Sequence, residues 1–491
     1  MRTAAILLVL VALAAGYSYG VGRRVVLTTG DDFAYASAAI DLAEGTSLVH
    51  HYESRALATR YIPIDGRPGA YASKYPLGLS LLLVPFYLVG GFAAMWALGP
   101  VTGVLAVVAT YDVAWQLARR RDVALVAAAL VATVPAVVMR AGTLMSDLPA
   151  MTLVTAAIAV YLRYLARPRA AIFCVFGLLS GAAFLVRNPS VLVVAVAGAH
   201  QLFLHGRRPR AHLAAWIAGA LVFAAFAGAQ LYGNLVTFGS IIGGYERDAF
   251  AHGSFSLAHV PRNLPKYLVV LSAVPPLGLP ATLLVAWRRR GVTVWLAGLV
   301  LAFVAMYSAW SDLPFRPESW FVGGARFVLA AVPIGCVSLA IAAFELVTQA
   351  RVRRVAIAVV LAAQLGASAY LAYQLRAFKE RMVTHRERIR AATAEGALIA
   401  GPAEWSKLFF GRDGKTVRRY ASYERFGEAV RLVEEEVRAG RPAYVLRSGR
   451  RETDDERRAL AQIAARHPLV ILVDERLPYE LRVEEVLPAV R

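Results

Sequence analysis

Residues 28–35 read Thr28-Thr29-Gly30-Asp31-Asp32-Phe33-Ala34-Tyr35, placing two adjacent carboxylates at the mouth of an apolar segment. An acceptor hydroxyl is a poor nucleophile at neutral pH. A positioned carboxylate can take its proton as attack proceeds, which makes Asp31 or Asp32 a candidate general base. The competing reading is a solvated or helix-capping acidic pair. Farther along, Ser73-Lys74-Tyr75-Pro76-Leu77-Gly78 puts an ammonium group where another apolar segment begins. At headgroup depth Lys74 can pair with a phosphate, or it and Tyr75 can simply anchor the interface. A third acid lies in Met145-Ser146-Asp147-Leu148-Pro149. Asp147 could face the same cavity as Asp31, Asp32 and Tyr35 and orient an acceptor. The three acids could also share a divalent cation such as Mg or Mn, since hard cations prefer oxygen ligands. Arg140, close before Asp147, could pair with it instead.

Later motifs add aromatic and cationic groups: Arg187-Asn188-Pro189, then Tyr232-Gly233-Asn234-Leu235-Val236-Thr237-Phe238-Gly239 with Tyr245, then Trp310, Trp320 and Gly323-Gly324-Ala325-Arg326-Phe327. Aromatics at this depth are ordinarily interfacial belt residues, but facing a polar cavity they can stack on sugar rings. Arg326 has the planar fork that grips a phosphate through two oxygens. Arg187, an arginine at an outer turn, hints at an anionic ligand.

The elements that must position these groups are apolar. The chain has 491 residues, 58% hydrophobic and 18% charged, too little polar surface for a soluble protein of this size. Its net charge of +20 could suggest nucleic acid, but the arginines sit in short clusters between apolar segments and form no stripe, which excludes that partner. Spans of about 20 residues clear a bilayer core. They are expected near 4–22, 95–118, 122–141, 148–165, 170–187, 189–204, 212–233, 266–287, 291–310, 327–347 and 355–375. With eleven spans, the clusters Arg119–Arg121, Arg163/Arg167/Arg169, Arg207/Arg208/Arg210, Arg288–Arg290 and Arg351/Arg353/Arg354 all fall on the cytoplasmic side. That parity makes Pro76–Gly91 an interfacial or re-entrant helix on the outer face, where membrane lipids or a lipid substrate can lie against it. It also places 23–75, 142–147, 234–265, 311–326 and the tail outside. The tail alternates strand and amphipathic patterns, with strands at Ala397–Ala400, Ala443–Leu446 and Leu469–Val473 and helices at Phe426–Ala439 and Glu452–His467. The expected architecture is a polytopic α-helical membrane protein of about eleven spans, residues 1–376, followed by a small extracytoplasmic α/β domain, residues 377–491.

Other polar features carry less. Adjacent histidines rarely converge on one metal, so His50-His51-Tyr52-Glu53 is set aside as a metal site. Asp112 should find a local partner among the cytoplasmic arginines. Cys174 and Cys336 give neither a disulfide framework nor a zinc spacing. Gly401-Pro402 after a strand is not a phosphate-cradling loop.

Taken in order, the acidic pair, the Lys-Tyr-Pro-Leu entry, the acid-bearing turn, the Arg-Asn-Pro turn, the Tyr-Gly-Asn…Phe-Gly stretch and the Gly-Ala-Arg-Phe segment resemble the GT-C superfamily of integral-membrane glycosyltransferases. The nearer match is its protein mannosyltransferase-like branch, which includes the lipid A aminoarabinose transferases, over roughly residues 1–350. The resemblance implies a polyprenyl-phosphate-linked sugar as donor and a lipid, polysaccharide or protein of the cell envelope as acceptor. Nucleotide sugars are cytoplasmic, and the equipped face here is the outer one. It further implies Asp31 or Asp32 as base, with Lys74 and more weakly Arg326 on the lipid phosphate, in a single inverting displacement. The family often has Asp-Glu at Asp31-Asp32 and Glu at Asp147, which leaves open which acid acts and whether a metal takes part. The rival reading is a transporter or lipid-linked sugar flippase. Against it, the acids collect in outer segments, whereas transport sites lie near the midplane. A second rival is a non-catalytic scaffold, in which the acids and Lys74 would stay solvated and apart.

Overall fold

The computed structural model describes residues 29–58, 61–206, 210–251, 253–310, 324–402, 419–448, 454–475 and 481–487, with scattered positions before residue 29. Most of the first expected span, Arg207 and Arg208, and Trp320 and Gly323 lie outside the described residues.

Helix α1 (Gly30–Glu44) starts at Thr29, whose side chain accepts from the Asp32 amide, with Asp31 and Asp32 in its first turn. Carboxylates there complement the free amides of a helix N-terminus. The next stretch was expected to be an outer loop. It forms a three-stranded antiparallel sheet of β1 (Val49–His51), β2 (Tyr61–Pro63) and β3 (Ala70–Ser73), with β3 in the centre. Helix α2 (Gly78–Ala94) follows, and its backbone leaves helical geometry at Gly90 and Gly91. Gly91 has φ 64°, a conformation that excludes most L-residues. The kink lies inside α2, and a 3-10 turn at Met95–Ala97 continues it into α3 (Leu98–Ala118), so that Gly78–Ala118 is one apolar stretch of 41 residues.

Two expected spans are broken, and proline explains both breaks. Helix α4 (Arg121–Thr133) and α5 (Pro135–Ala141) meet at 59°, because Val134 before Pro135 is extended. A residue preceding proline is pushed out of the helical region. After α6 (Asp147–Ala166), α7 (Ala170–Val186), α8 (Val191–His205), α9 (Arg210–Phe238) and α10 (Gly244–Ala251), the same happens again. Helices α11 (Val260–Ala273) and α12 (Gly278–Arg289) belong to a pair bent by 85°, with Val274 extended before Pro275. Helices α13 (Val292–Ser308), α14 (Val332–Leu346) and α15 (Ala350–Ala392) complete the set. Among the described residues five helices are long and apolar enough to cross a membrane, or seven if each bent pair is one span. Helices α7 and α13 are apolar but shorter. Helix α15 has 43 residues and runs past the expected boundary at 376/377.

The tail is an α/β unit. It orders strands β4 (Leu398–Gly401), β5 (Arg419–Ser422), β6 (Ala443–Ser448), β7 (Leu469–Glu475) and β8 (Leu481–Val486) as β5-β4-β6-β8-β7. Helices α16 (Phe426–Arg438) and α17 (Asp454–Ala464) bury Val433 and Ile463 in its core. The three expected strands and two helices are present, and β5 and β8 are additional. The unit docks on the first outer segment, with Ala56 inside its core. The Ser54 hydroxyl donates to Glu428 Oε2 at 2.5 Å, and Arg419 pairs with both Glu53 and Glu436. The tail therefore packs against residues 53–56 of the segment that carries β1, β2 and β3.

Glu428 also accepts from the Ala56 amide at 3.3 Å, so one carboxylate fastens the joint. Glu428→Ala is expected to speed trypsin cleavage after Arg55 at least fivefold in the detergent-solubilised protein. Asp454→Ala, at an exposed carboxylate of α17, should leave the cleavage rate unchanged.

Candidate functional site

The site assembles where α1, the entry to α2, and the turns before α6 and α8 converge. Two glycines allow the approach. A Cβ on Gly78 would lie 2.2 Å from the Leu185 carbonyl carbon, and one on Gly99 would lie 2.1 Å from the Ala141 oxygen. The first approach sets Tyr75 beside the end of α7, and the second sets α3 against the turn leading to Asp147. Backbone atoms cannot yield as a flexible side chain would, so both positions require glycine.

The cavity encloses about 570 Å³ of solvent-open space and is lined by Asp31, Tyr35, Tyr75, Ser146, Arg187, Asn188, Tyr245, Glu246, Tyr307, Trp310 and Arg326, among others. Successive helical residues point about 100° apart, and the acidic pair divides accordingly. Asp31 opens into the cavity with its side chain 24% exposed, whereas Asp32 is 1% exposed and turned inward. The Tyr75 hydroxyl donates to Asp31 Oδ1 at 2.5 Å, and an Arg326 guanidinium nitrogen stands 3.6 Å from Oδ2. Burial, reinforced by the Asp31 charge, pushes the Tyr75 phenol far above its ordinary value, so it remains a donor. Burial likewise raises Tyr35, whose hydroxyl donates to Ser146 Oγ at 3.3 Å. Burial pushes Tyr245 up to about 12.

Asp147, expected to face the cavity, sits behind it. Its side chain is fully buried, and Arg187 binds its Oδ1 at 2.6 Å while Arg140 stands 4.0 Å from Oδ2. An ionised carboxylate in such surroundings needs a paired cation, and Arg187 is the nearer of the two. Arg187 Nε also donates to the Tyr307 hydroxyl at 2.9 Å, so its charge is committed to the frame. Lys74 lies at the rim, 5.8 Å from the centroids of both the Tyr75 and Tyr245 rings. Tyr245 stacks on Trp310 with rings 5.4 Å apart and nearly parallel. Its neighbour Glu246 accepts from Asn188, fastening α10 to the Arg-Asn-Pro turn.

Arg326 is less committed. Its guanidinium packs over Phe327, and its buried Nε has no hydrogen-bond partner among the described residues. A divalent cation does not fit the acids. Among the described residues no three His, Cys, Asp or Glu side chains gather, and Asp31 and Asp147 already face guanidinium groups. His50 instead pairs with Asp41 at 3.2 Å, and Asp112 takes Arg163 at 2.7 Å, the local partner expected. Asn234 lies within the last turns of α9, not in a loop, and is buried. Sequence reasoning missed Tyr307 and Glu246. Tyr307 ends an apolar span and looks like a belt residue. Glu246 could have been found as the acid beside Tyr245.

Comparison with known proteins agrees with this architecture. A family model described as dolichyl-phosphate-mannose-protein mannosyltransferase matches residues 74–232. The crystal structure of ArnT from Cupriavidus metallidurans in the apo state is similar with a TM-score of 0.62 at 14% identity, covering 98% of this chain and 97% of that one. AglB, the oligosaccharyltransferase of Archaeoglobus fulgidus, in complex with an inhibitory peptide and a dolichol-phosphate, gives 0.51 at 14% identity, covering 89% and 69%. The arabinofuranosyltransferase AftD from Mycobacteria gives 0.52 at 13% identity, covering 99% of this chain and 41% of that one. No curated protein matches the chain in sequence. The structural likenesses show a shared fold over nearly the whole chain, and the family model matches one segment of it. It is a multi-pass membrane protein.

Two outcomes test the frame. Gly78→Ala should lower the thermal midpoint in detergent by several degrees, while Gly228→Ala, where a Cβ meets nothing within 4 Å, should not. Arg187→Met leaves Asp147 buried beside the more distant Arg140, a loss on the order of 3 kcal/mol. Adding Asp147→Leu should restore most of that loss.

Proposed function

We propose that the chain transfers a sugar from a polyprenyl-phosphate-linked donor to a cell-envelope acceptor on the outer face of the cytoplasmic membrane, with Asp31 as general base. One observation carries the reading: Asp31 is the carboxylate of the acidic pair that opens on the cavity, between a phenol donor and a guanidinium. The Tyr75 hydroxyl on Oδ1 and the Arg326 guanidinium beside Oδ2 orient the carboxylate at the cavity wall. The acceptor hydroxyl gives its proton to Asp31 as its oxygen bonds to the anomeric carbon. The bond from that carbon to the phosphate oxygen breaks on the opposite side, which inverts the configuration. The polyprenyl phosphate leaves with the electron pair and needs no separate acid.

Arg326 and Lys74 are the cations suited to that phosphate. Arg187 fits this role less well than its sequence context implied, since Asp147 and Tyr307 already occupy it. The aromatic walls at Tyr35, Tyr245 and Trp310 offer faces for sugar rings. Support for the outer face comes from the arginine clusters and from the tail docked beside the first outer segment.

Purified protein in lipid, given a panel of polyprenyl-phosphate sugars and envelope extract, should transfer labelled sugar from at least one donor. Asp31→Asn should lower kcat at least about a hundredfold, within the range of general-base catalysis. Asp32→Asn should lower it less. Lys74→Ala and Arg326→Met should raise the donor KM. Comparable losses at both aspartates would remove Asp31 from the role. Absence of transfer from every donor, with a folded protein, would sink the reading.

A further inference from the structure

The tail reaches the site through a lysine that the proposed reaction does not use. Helix α15 has an exposed apolar first half and a charged second half, and one face along both carries the buried residues Gln364, Ser368, Lys379, Met382 and Ile389. Their partners are the two ends of the broken pair α4/α5. At one break, the Thr133 hydroxyl donates to Gln364 Oε1 at 2.7 Å, and the Ser368 hydroxyl donates to the Thr133 carbonyl at 2.7 Å. At the far end of α5, Lys379 Nζ donates to the carbonyl of Gly142, the residue that caps the helix. The last carbonyls of a helix have no partner within it, and a cation at that end is favoured by both hydrogen bond and dipole.

Lys379 is wholly buried, at 0% exposure. Burying an ammonium is costly, so this contact does not arise as incidental packing. The chain it holds is short and leads straight to the site. Arg140 lies in the last turn of α5, 4.0 Å from Asp147, and four residues separate Gly142 from Asp147. Beyond Lys379, Met382 and Ile389 on the same face enter the apolar cluster that includes Ile399 and Tyr444 of the tail sheet. One rigid helix thus links the tail sheet to the turn bearing Ser146 and Asp147.

We propose that Lys379 is a positioning residue. It fixes the end of α5 so that Arg140, Ser146 and Asp147 keep their places, and through it the tail unit sets the geometry of the cavity. The kinetic part of this inference rests on the glycosyltransferase reading, and the structural part does not.

The test uses the full chain in lipid nanodiscs as wild type, Lys379→Met and Lys379→Arg. Hydrogen exchange of residues 142–147 and sugar-transfer kinetics are followed together. Lys379→Met should speed exchange in that turn at least tenfold, leave the tail strands β4 and β6 unchanged, and lower kcat at least tenfold with donor KM within twofold. Lys379→Arg, which keeps the charge and the donors, should restore most of both. Unchanged exchange in the turn would overturn the proposal, as would exchange that rises equally throughout the chain. Normal kcat with a loosened turn would overturn its kinetic part. If the wild type transfers no sugar, the reaction reading fails, and the exchange comparison still decides whether Lys379 holds the turn.

Discussion

The buried pair of Asp147 and Arg187 is the constraint around which the cavity end of the molecule is arranged. Asp147 opens α6, Arg187 follows α7, and their 2.6 Å contact closes the angle between those helices. Removing two charges from water costs several kcal/mol per ion, repaid only by good geometry and further hydrogen bonds. Arg187 obtains these from Tyr307 on α13 and from Ser146. The consecutive helices α6 and α7 and the distant α13 therefore become one wall. Once that wall is fixed, the Ser146 hydroxyl is available to Tyr35 of α1, and Asn188 to Glu246 of α10. The cavity is framed by polar contacts whose cost of formation is met in folding, which leaves little reorganisation for the moment of reaction.

Bending serves the same end. The C-terminal ends of α4 and α11 give way at Val134-Pro135 and Val274-Pro275. Non-helical backbone at such depth survives only where other protein groups satisfy its polar atoms. Helix α15 does this for α4/α5 through Ser368 and Lys379. Proline thus creates turns that can carry Arg140 and Asp147, and a neighbouring helix makes those turns tolerable.

Much of this was legible in the sequence because hydrophobic runs and arginine clusters are local signals. The helices fall close to the expected apolar segments, and the tail strands at 398–401, 443–448 and 469–475 lie where alternation placed them. What was not legible depends on distance in sequence. The sheet of β1, β2 and β3 uses three- and four-residue strands, too short for alternation to register. Asp147 looked like a cavity residue because an acid beside an apolar span suggests function, but its partner lies 40 residues away. Tyr307 and Lys379 had no signal of their own: each sits on a helix away from any motif, and only the fold reveals its partner.

The acidic pair shows how one local rule divides roles within a dipeptide. Adjacent carboxylates with equal access to one cavity would repel each other, and each would raise the cost of ionising the other. In α1 the helical rotation between neighbours separates them. Asp31 meets Tyr75 and Arg326 at the cavity wall, while Asp32 faces the interior within electrostatic reach of Arg140. The inward acid balances a guanidinium that Asp147 alone, 4.0 Å away, only partly neutralises. Asp32 thereby helps keep Arg140 in the wall, and Asp31 is left as the acid of the pair free to meet a ligand. The same helix turn that a sequence reader takes for a capping pair therefore turns one carboxylate into the interior and the other, the base of the proposed reaction, onto the cavity.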